Sequence, residues 1–362
     1  MSEPKYTQTK AFILRMIDEG PYESGSRLPT EAELAARFRV SRNTLRQAIG
    51  ELVSEGILVR EQGRGTFYTG PRDESEQKTG LIGVLTPLPQ TYIFGELIHG
   101  MDDVAQSMGY SLVLATSRAD PEREVDGLRN LLSKPLDGLL VEFARSAEMN
   151  AGGETARLIR DAGLPTLVCD TDAPVFDLSA VLIDDVYGGR LATEYLIQQG
   201  HRRIAMVYKE TNTAGVRRLE GYLEALAAAG IRRDDSLILA YRAQEDTLPV
   251  VPLARKLASM PPGKRPTAVF FFNDQCAIQS FAPFEDEGLR VPDDVSFVGF
   301  DDSELAVTAP VPLTSVIHPK YWLGWLAART LIDMMQSEIA GFCTRTFIRP
   351  TLAIRDSVRQ ID

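Results

Sequence analysis

An α/β protein is predicted, with a small winged helix-turn-helix ahead of two Rossmann-like parallel-sheet subdomains. Three observations predict it. Residues 27–68 hold short amphipathic helices, a tight turn and a glycine-bearing hairpin. Residues 70–79, GPRDESEQKT, contain glycine, proline and charge but no apolar residue, which is the composition of a linker. From Gly80 onward short apolar runs alternate with amphipathic stretches, the pattern of parallel strands covered by helices on both faces. The domains expected are a head at 1–70, a linker at 71–79 and a body at 80–362.

The run 27–68 is read as two short helices around a tight turn, then a third helix and a hairpin. Glu31 to Phe38 is a helix with Ala32, Leu34, Ala35 and Phe38 on one side, and Arg39-Val40 is the turn. Ser41 is a candidate N-cap, because its hydroxyl can accept a free backbone N–H. In the next helix Leu45, Ala48, Ile49 and Leu52 face inward, while Arg42, Asn43, Thr44, Arg46 and Gln47 face outward. Long donors on the exposed first turns of a helix suit the major groove of DNA, where a guanidinium pairs bidentately with guanine. Ile57-Leu58-Val59 and Thr66-Phe67-Tyr68 flank Gln62-Gly63-Arg64-Gly65. The glycines let that tip approach a phosphate backbone, and Arg64 sits where a wing meets a minor groove. A hairpin on a protein-binding winged helix is the competing reading, and the donor-rich helix favours DNA.

Three segments resemble the GntR family of bacterial regulators: Arg27-Leu28-Pro29-Thr30-Glu31, Val40 to Ala48, and Gly63-Arg64-Gly65-Thr66-Phe67. The resemblance covers the first seventy residues. It implies a dimer on a pseudo-palindromic operator, with Arg42 and Arg46 reading bases and Gln62 assisting. Asn43 lies beside them on the same helix. Lys5, Tyr6, Arg27, Thr30, Ser41, Thr44, Arg64 and Thr66 would hold phosphate, Gly63 and Gly65 would shape the tip, and Glu31 would orient an arginine.

A chain of 362 residues is too long for one small domain. Its net charge of −11 looks wrong for a DNA binder. The first 70 residues, however, carry ten Lys/Arg and nine Asp/Glu, whereas the remainder carries 29 and 41. The acid belongs to the body, so nonspecific DNA affinity should be modest and salt-sensitive. Cys169, Cys276 and Cys343 are scattered and form no CxxC, which suits a reducing compartment; each is read as a small buried apolar residue. The start, MSEPKYTQTK, is unlike a secretory leader, and no apolar run approaches a membrane span. A cytoplasmic protein without a membrane partner is expected.

In the body, strands are expected at 80–85, 110–115, 137–141, 164–169, 203–208, 236–240, 267–272 and 295–299. Helices are expected at 97–108, 122–132, 186–199, 215–229, 251–260 and 275–287. Ligands of such sheets sit beyond the carboxyl ends of the strands. The residues there are Tyr92 and Phe94, Glu142, Asp170, Lys209, Asn273-Asp274 and Asp301-Asp302.

This stretch resembles the effector domain of the LacI/GalR family, a type I periplasmic-binding-protein-like fold. The matching residues are Ile183-Asp184-Asp185, Gly188-Gly189, Gly200 to Ala205, Arg218 with Gly221-Tyr222, Phe272-Asn273-Asp274, Val291 to Asp302 and Pro312 to Val316. The resemblance implies an N-subdomain at about 80–179 and 318–342 and a C-subdomain at about 180–317 and 343–362. A GntR head on such a body, with Tyr92-Ile93-Phe94, Gly138 to Glu142 and Gly215 to Arg218, resembles the arabinose-repressor branch. That implies a repressor relieved by a monosaccharide, L-arabinose foremost.

A sugar offers hydroxyls in every direction and weakly apolar faces. Glu142, Asp170, Asn273 and Asp301 are the expected acceptors, Arg218 the donor, and Tyr92, Phe94 and Trp322 the covering aromatics. Arg218 is expected to bridge a carboxylate, since unpaired charges in a cleft are costly. His99, His201 and His318 show no ligand spacing, so no metal is expected, and His201 reads as a helix-end cap. No Ser-His-Asp order, P-loop or lysine-centred cofactor motif is present, so neither an enzyme nor a cofactor is expected. Gly188-Gly189 opens a helix without the rest of a phosphate-binding fingerprint. A sugar transport protein and an effector-dependent activator remain the alternatives.

Overall fold

The computed structural model describes residues 5–54, 57–61, 64–69, 78–87, 92–143, 145–242, 250–336 and 343–361. The side chains of Lys5, Asp18, Ser54 and Tyr92 lie outside that description. The chain divides into two units, Met1–Lys78 and Thr79–Asp362. Most of the expected linker lies outside the described residues. Thr79 already belongs to the body, where its N–H donates to Asp137 at 2.8 Å.

The head comprises α1 (Lys5–Asp18), α2 (Glu31–Phe38), α3 (Arg42–Ser54) and the antiparallel hairpin β1 (Leu58–Glu61) and β2 (Gly65–Tyr68). A capping box starts α2: the Thr30 hydroxyl accepts from Glu33 N–H, and Glu33 accepts from Thr30 N–H at 2.8 Å. Arg39, at φ 56°, ends it in the left-handed region, so the chain turns sharply into Ser41. Ser41 caps α3 as expected, accepting from Thr44 N–H at 3.1 Å. Leu45, Ala48, Ile49 and Leu52 are buried. Two expectations fail. Ala32 is exposed, and the third helix precedes the run as α1. Ile13, Met16 and Ile17 of α1 close a core that α2 and α3 cannot enclose.

The body opens with β3 (Leu81–Thr86), α4 (Tyr92–Ser107), β4 (Ser111–Thr116), α5 (Pro121–Leu132), β5 (Gly138–Val141), α6 (Glu154–Ala162), β6 (Thr166–Asp170) and β7 (Ser179–Ile183). It continues with α7 (Asp185–Gln198), β8 (Ile204–Lys209), α8 (Thr213–Ala228), β9 (Ile238–Tyr241), α9 (Val250–Ala258), β10 (Ala268–Phe271) and α10 (Asp274–Asp286). Next come β11 (Ser296–Asp301), α11 (Glu304–Thr308), β12 (Thr314–Ile317), α12 (Lys320–Gln336), β13 (Arg345–Ile348) and β14 (Thr351–Ala353). Two six-stranded sheets result, ordered β4-β3-β5-β6-β7-β13 and β9-β8-β10-β11-β12-β14. All pairings are parallel except β12 with β14.

The chain passes between the sheets at Asp184, at 318–319 and at 349–350. The expected subdomain limits therefore shift. β7 and β13 both stand in the first sheet, so 180–183 and 345–348 belong to the N-subdomain. β7, α6 and the elements beyond β11 were not foreseen. β12 and β13 are short and carry Thr314-Ser315 and Arg345-Thr346, and the parallel neighbours on which they pair are remote in sequence.

Two helix pairs pack with backbones in near contact. A Cβ on Gly221 of α8 would lie 1.9 Å from Val186 O of α7, and one on Gly189 of α7 would lie 2.2 Å from Arg218 O. Gly100 of α4 and Gly324 of α12 repeat the arrangement, 2.0 Å from Tyr321 O and Leu97 O. In the Gly188-Gly189 pair, Gly189 is thus a helix contact, while Gly188 packs against the Phe300 ring and Pro350. Gly221→Ala is expected to lower unfolding free energy by about 1–3 kcal/mol. Gly152→Ala, with its nearest neighbour at 3.6 Å, should stay within about 0.5 kcal/mol. Urea midpoints of the two variants check the contrast.

Candidate functional sites: DNA interface and effector cleft

In the head, Arg42, Asn43, Arg46 and Gln47 are exposed along α3. Glu31 receives Arg46 Nε at 2.8 Å and an Arg60 guanidinium nitrogen at 3.0 Å, so it orients an arginine as expected and links α2, α3 and β1. Arg64 is exposed, pairs with Glu61 and lies 5.7 Å from the Phe67 ring centre. Arg27 bridges to Phe67 and runs along Gly65, whose φ of 127° excludes most side chains. Ser41 and Thr44 are engaged in the cap of α3, with their hydroxyls 2.8 Å apart. Tyr6 and Thr66 are half-buried. Gln62 and Gly63, and the side chain of Lys5, lie outside the described residues.

The body's polar residues gather where strands end. Asp170 and Asp301 are the last residues of β6 and β11, and their φ values of 68° and 101° put both in the left-handed region. Such strain persists only where surrounding structure enforces it, and it concentrates at functional sites. Arg218 on α8 is 4% exposed. Its Nε donates to Asp185 at 2.8 Å, one terminal nitrogen donates to Phe272 O at 2.6 Å, and its guanidinium lies 3.4 Å from the Phe300 ring centre. Nη2 bonds to no described residue. Burial pushes Asp185 up to about 6, opposed by the charge and hydrogen bond of Arg218. Arg218 was expected to bridge Glu142, Asp170 or Asp301; it bridges Asp185 instead, the first residue of α7.

Asp170 meets His318 Nε2 at 2.6 Å, linking the end of β6 to the second crossover. Nδ1 of His318 is buried without a partner. Glu142 is 5% exposed and its Oε2 has no partner. Asn273 caps α10, accepting from Cys276 N–H at 3.0 Å, which leaves its NH2 end for other groups. Asp274 accepts from Ser303 N–H at 2.8 Å and from the Ser303 hydroxyl at 2.9 Å, and it also receives Ser315. It therefore anchors the Asp301-Asp302 turn. The subdomains also touch through side chains: Thr213 N–H donates to Ser146 Oγ at 2.9 Å, and Arg242 pairs with Glu148.

The aromatic expectations fare differently. Phe94 lies inside α4 and is buried in the core, because that helix begins five residues earlier than expected. Trp322 is 64% exposed on α12, stacked edge-on with Tyr321 and Trp325. The side chain of Tyr92 lies outside the described residues. Phe272 and Phe300 are the rings that flank Arg218. His318 and Asp185 were missed as site residues. The strand before His318 was not read as a strand, so its end was not inspected, and Asp185 was noted only as part of a motif. His201 is buried between Thr267 and Arg359 O rather than capping a helix by charge, and Cys343 is exposed. Among the described residues no helix is long and apolar enough to cross a membrane, and no cluster of three metal-ligating side chains occurs.

A DNA-reading head and a two-sheet body with a polar cleft define a ligand-responsive regulator. Residues 5–67 match the model described as bacterial regulatory proteins, gntR family, and residues 193–358 match the periplasmic binding protein-like domain. The chain is 35% identical to an arabinose metabolism transcriptional repressor of Geobacillus stearothermophilus, covering 99% of this chain and 98% of that one. It is 31% identical to a protein of the same name from Halalkalibacterium halodurans, over 93% and 90%. Among solved structures, a complex of the regulator CelR with cellobiose superposes with a TM-score of 0.69 at 27% identity, covering 91% of this chain and 100% of that one. The chain belongs to this family of GntR-headed, LacI-type transcriptional repressors, which are regulators rather than enzymes.

The Asp170–His318 pair makes stability depend on pH. Burial opposes the charge of His318, but Asp170 outweighs it and raises the imidazole above 6.5. Burial likewise opposes the charge of Asp170, which His318 holds below 3.8. The contribution of His318 is therefore complete below pH 6.5 and is lost as pH rises through its raised value; that of Asp170 is present above pH 3.8 and lost on acidification. His318→Gln, neutral throughout, is expected to remove the alkaline part of this dependence. His318→Ala, which strands a buried carboxylate, should cost about 3–5 kcal/mol. Melting temperatures between about pH 5 and 9 test both, and identical slopes for wild type and the glutamine variant would contradict the assignment.

Proposed function

We propose that the chain is a cytoplasmic, homodimeric repressor whose grip on a pseudo-palindromic operator is relieved by a small sugar, L-arabinose foremost, bound between the two halves of the body. The observation that carries this reading is the Arg218 centre. A buried guanidinium, oriented by Asp185 and Phe272 O and laid on the Phe300 ring, keeps one nitrogen unengaged beside Asp170 and Asp301. Directed donors and acceptors around a flat aromatic face suit a neutral polyol. The solved relative holds cellobiose, and the two sequence relatives are named for arabinose metabolism. A transport protein has no use for the gntR-type head at 5–67.

Operator reading is assigned to Arg42 and to Arg46 as held by Glu31, with Asn43 beside them. Phosphate contact is assigned to Lys5, Tyr6, Arg27, Thr30, Ser41, Thr44, Arg64 and Thr66, and the hairpin tip to Gln62, Gly63 and Gly65. Arg42→Ala should cost about 1–3 kcal/mol at its cognate base pair. Arg64→Ala should weaken all sequences alike and lower the salt slope by about 1. Unchanged operator discrimination by Arg42→Ala in a competition gel shift would sink the base-reading role.

Sugar control follows from closure. If the sugar favours one arrangement of the two subdomains, it resets the spacing of paired heads that must meet half-sites whole helical turns apart. A coupling of about 1–3 kcal/mol changes operator affinity roughly 5–150-fold. Arg218→Lys keeps the charge but loses the planar fork, so its operator complex should resist sugar. Titration of pentoses and hexoses into wild-type and variant complexes decides the matter. No release of the wild type by any of them rejects the sugar reading, and full release of the variant rejects the role of Arg218.

A further inference from the structure

An acidic and a basic side chain stand at strand ends of the two sheets, with no ion pair between them among the described residues. Glu142 follows β5 directly, and the first sheet's strand order reverses between β3 and β5. Lys209 ends β8, and the second sheet's order reverses between β8 and β10. Open α/β sheets bind ligands at such reversals. Each sheet thus presents one ionisable side chain at its own switch point, acidic on the first and basic on the second.

Burial raises Glu142 well above the usual carboxylate range, with Asp170 adding to the rise and Lys209 opposing it, and burial lowers Lys209, opposed by Cys276 and Glu142. No ion pair within 4 Å relieves them among the described residues. Oε2 of Glu142 is buried without a partner, and Lys209 makes no hydrogen bond or ion pair with a described residue. Neighbouring charges are already committed, Asp170 to His318 and Arg218 to Asp185. A buried Glu142 and a half-buried Lys209 left apart, each without a partner among the described residues, are costly. The cost falls if one polar group sits between them and bonds to both.

Resting on the sugar reading of this cleft, we propose that Lys209 and Glu142 bracket a single hydroxyl of the effector and restrict it to neutral polyols. A hydroxyl accepts from the ammonium through its oxygen while donating its hydrogen to the carboxylate. A carboxylate or phosphate at this place is drawn to Lys209 but repelled by Glu142. An amine is drawn to Glu142 but repelled by Lys209. The pair therefore selects sugars against their acids, phosphates and amino derivatives, through repulsion as much as attraction.

Calorimetric titration of the full chain with L-arabinose and with its aldonate tests this, using K209M, K209R and E142Q. Wild type is expected to bind the neutral sugar and not the acid. K209M should bind the neutral sugar at least about tenfold more weakly at an unchanged melting temperature, as befits loss of a charge-assisted hydrogen bond. E142Q should narrow the gap between sugar and aldonate, because the repulsion is gone. A folded K209M that binds L-arabinose as tightly as wild type overturns the bracket and leaves the sugar reading standing. If K209M does not fold, E142Q carries the test, and continued full rejection of the aldonate by that variant overturns the bracket. A wild-type chain that binds no neutral pentose or hexose overturns the sugar reading and the bracket with it.

Discussion

The buried pair of Arg218 and Asp185 sets the frame around which the body is arranged. Asp185 is the first residue of α7, just past the first passage between the sheets, and Arg218 lies on α8. The same guanidinium donates to Phe272 O, just past β10, and lies on Phe300 of β11. One charge thus ties together two helices, two strands and a crossover. A buried ion pair is weak evidence for stability, since desolvation offsets much of the Coulomb gain, but removing one member is severe because the other is left unpaired. The close approach of α7 and α8 through Gly189 and Gly221 is what brings the pair into register.

The other passages between the sheets are tied in the same manner. His318, at the second, reaches back to Asp170 in the first sheet, while Lys320 donates to Asp302 O at 3.1 Å. At the third, Arg349 lies 5.2 Å from the Tyr187 ring centre. Residues at the passages between the two sheets are therefore also residues that hold charge. A ligand shifts such a molecule only by its differential affinity for the two arrangements. Groups at the crossovers that also face the cleft are well placed to supply that difference. The contacts of Ser146 and Glu148 with Thr213 and Arg242 join the two subdomains a second time.

In the head, one carboxylate serves a comparable purpose. Glu31 holds Arg46 and Arg60, so helix α3 and the hairpin are aligned by one acidic side chain within an arginine-rich surface. These groups are substantially exposed, so the ties contribute little to stability and serve mainly to orient. Arrangement matters more than net charge here, since the first 70 residues carry only one positive charge in excess.

Local features were readable from residues alone. The Ser41 cap, the inward stripe of α3, the glycine-bearing hairpin and the alternation of strands and helices all depend on neighbours within a few positions, and they appeared where expected. So did the gathering of Glu142, Asp170 and Asp301 at strand ends, because strand direction and the polar residue after an apolar run are both local. The misses share one cause. α1 closes the head only through contact with α3, and β12 and β13 are strands only because parallel partners far along the chain supply their hydrogen bonds. His318 follows one of those strands, so its meeting with Asp170, 148 positions away, had no local signature. Phe94 and Trp322 carried the right chemistry, yet helix phase buried the first and exposed the second. Residue type and short-range period establish which groups are available. Which of them share a cleft depends on how the chain passes between two sheets, and that is a property of long-range pairing and close helix packing.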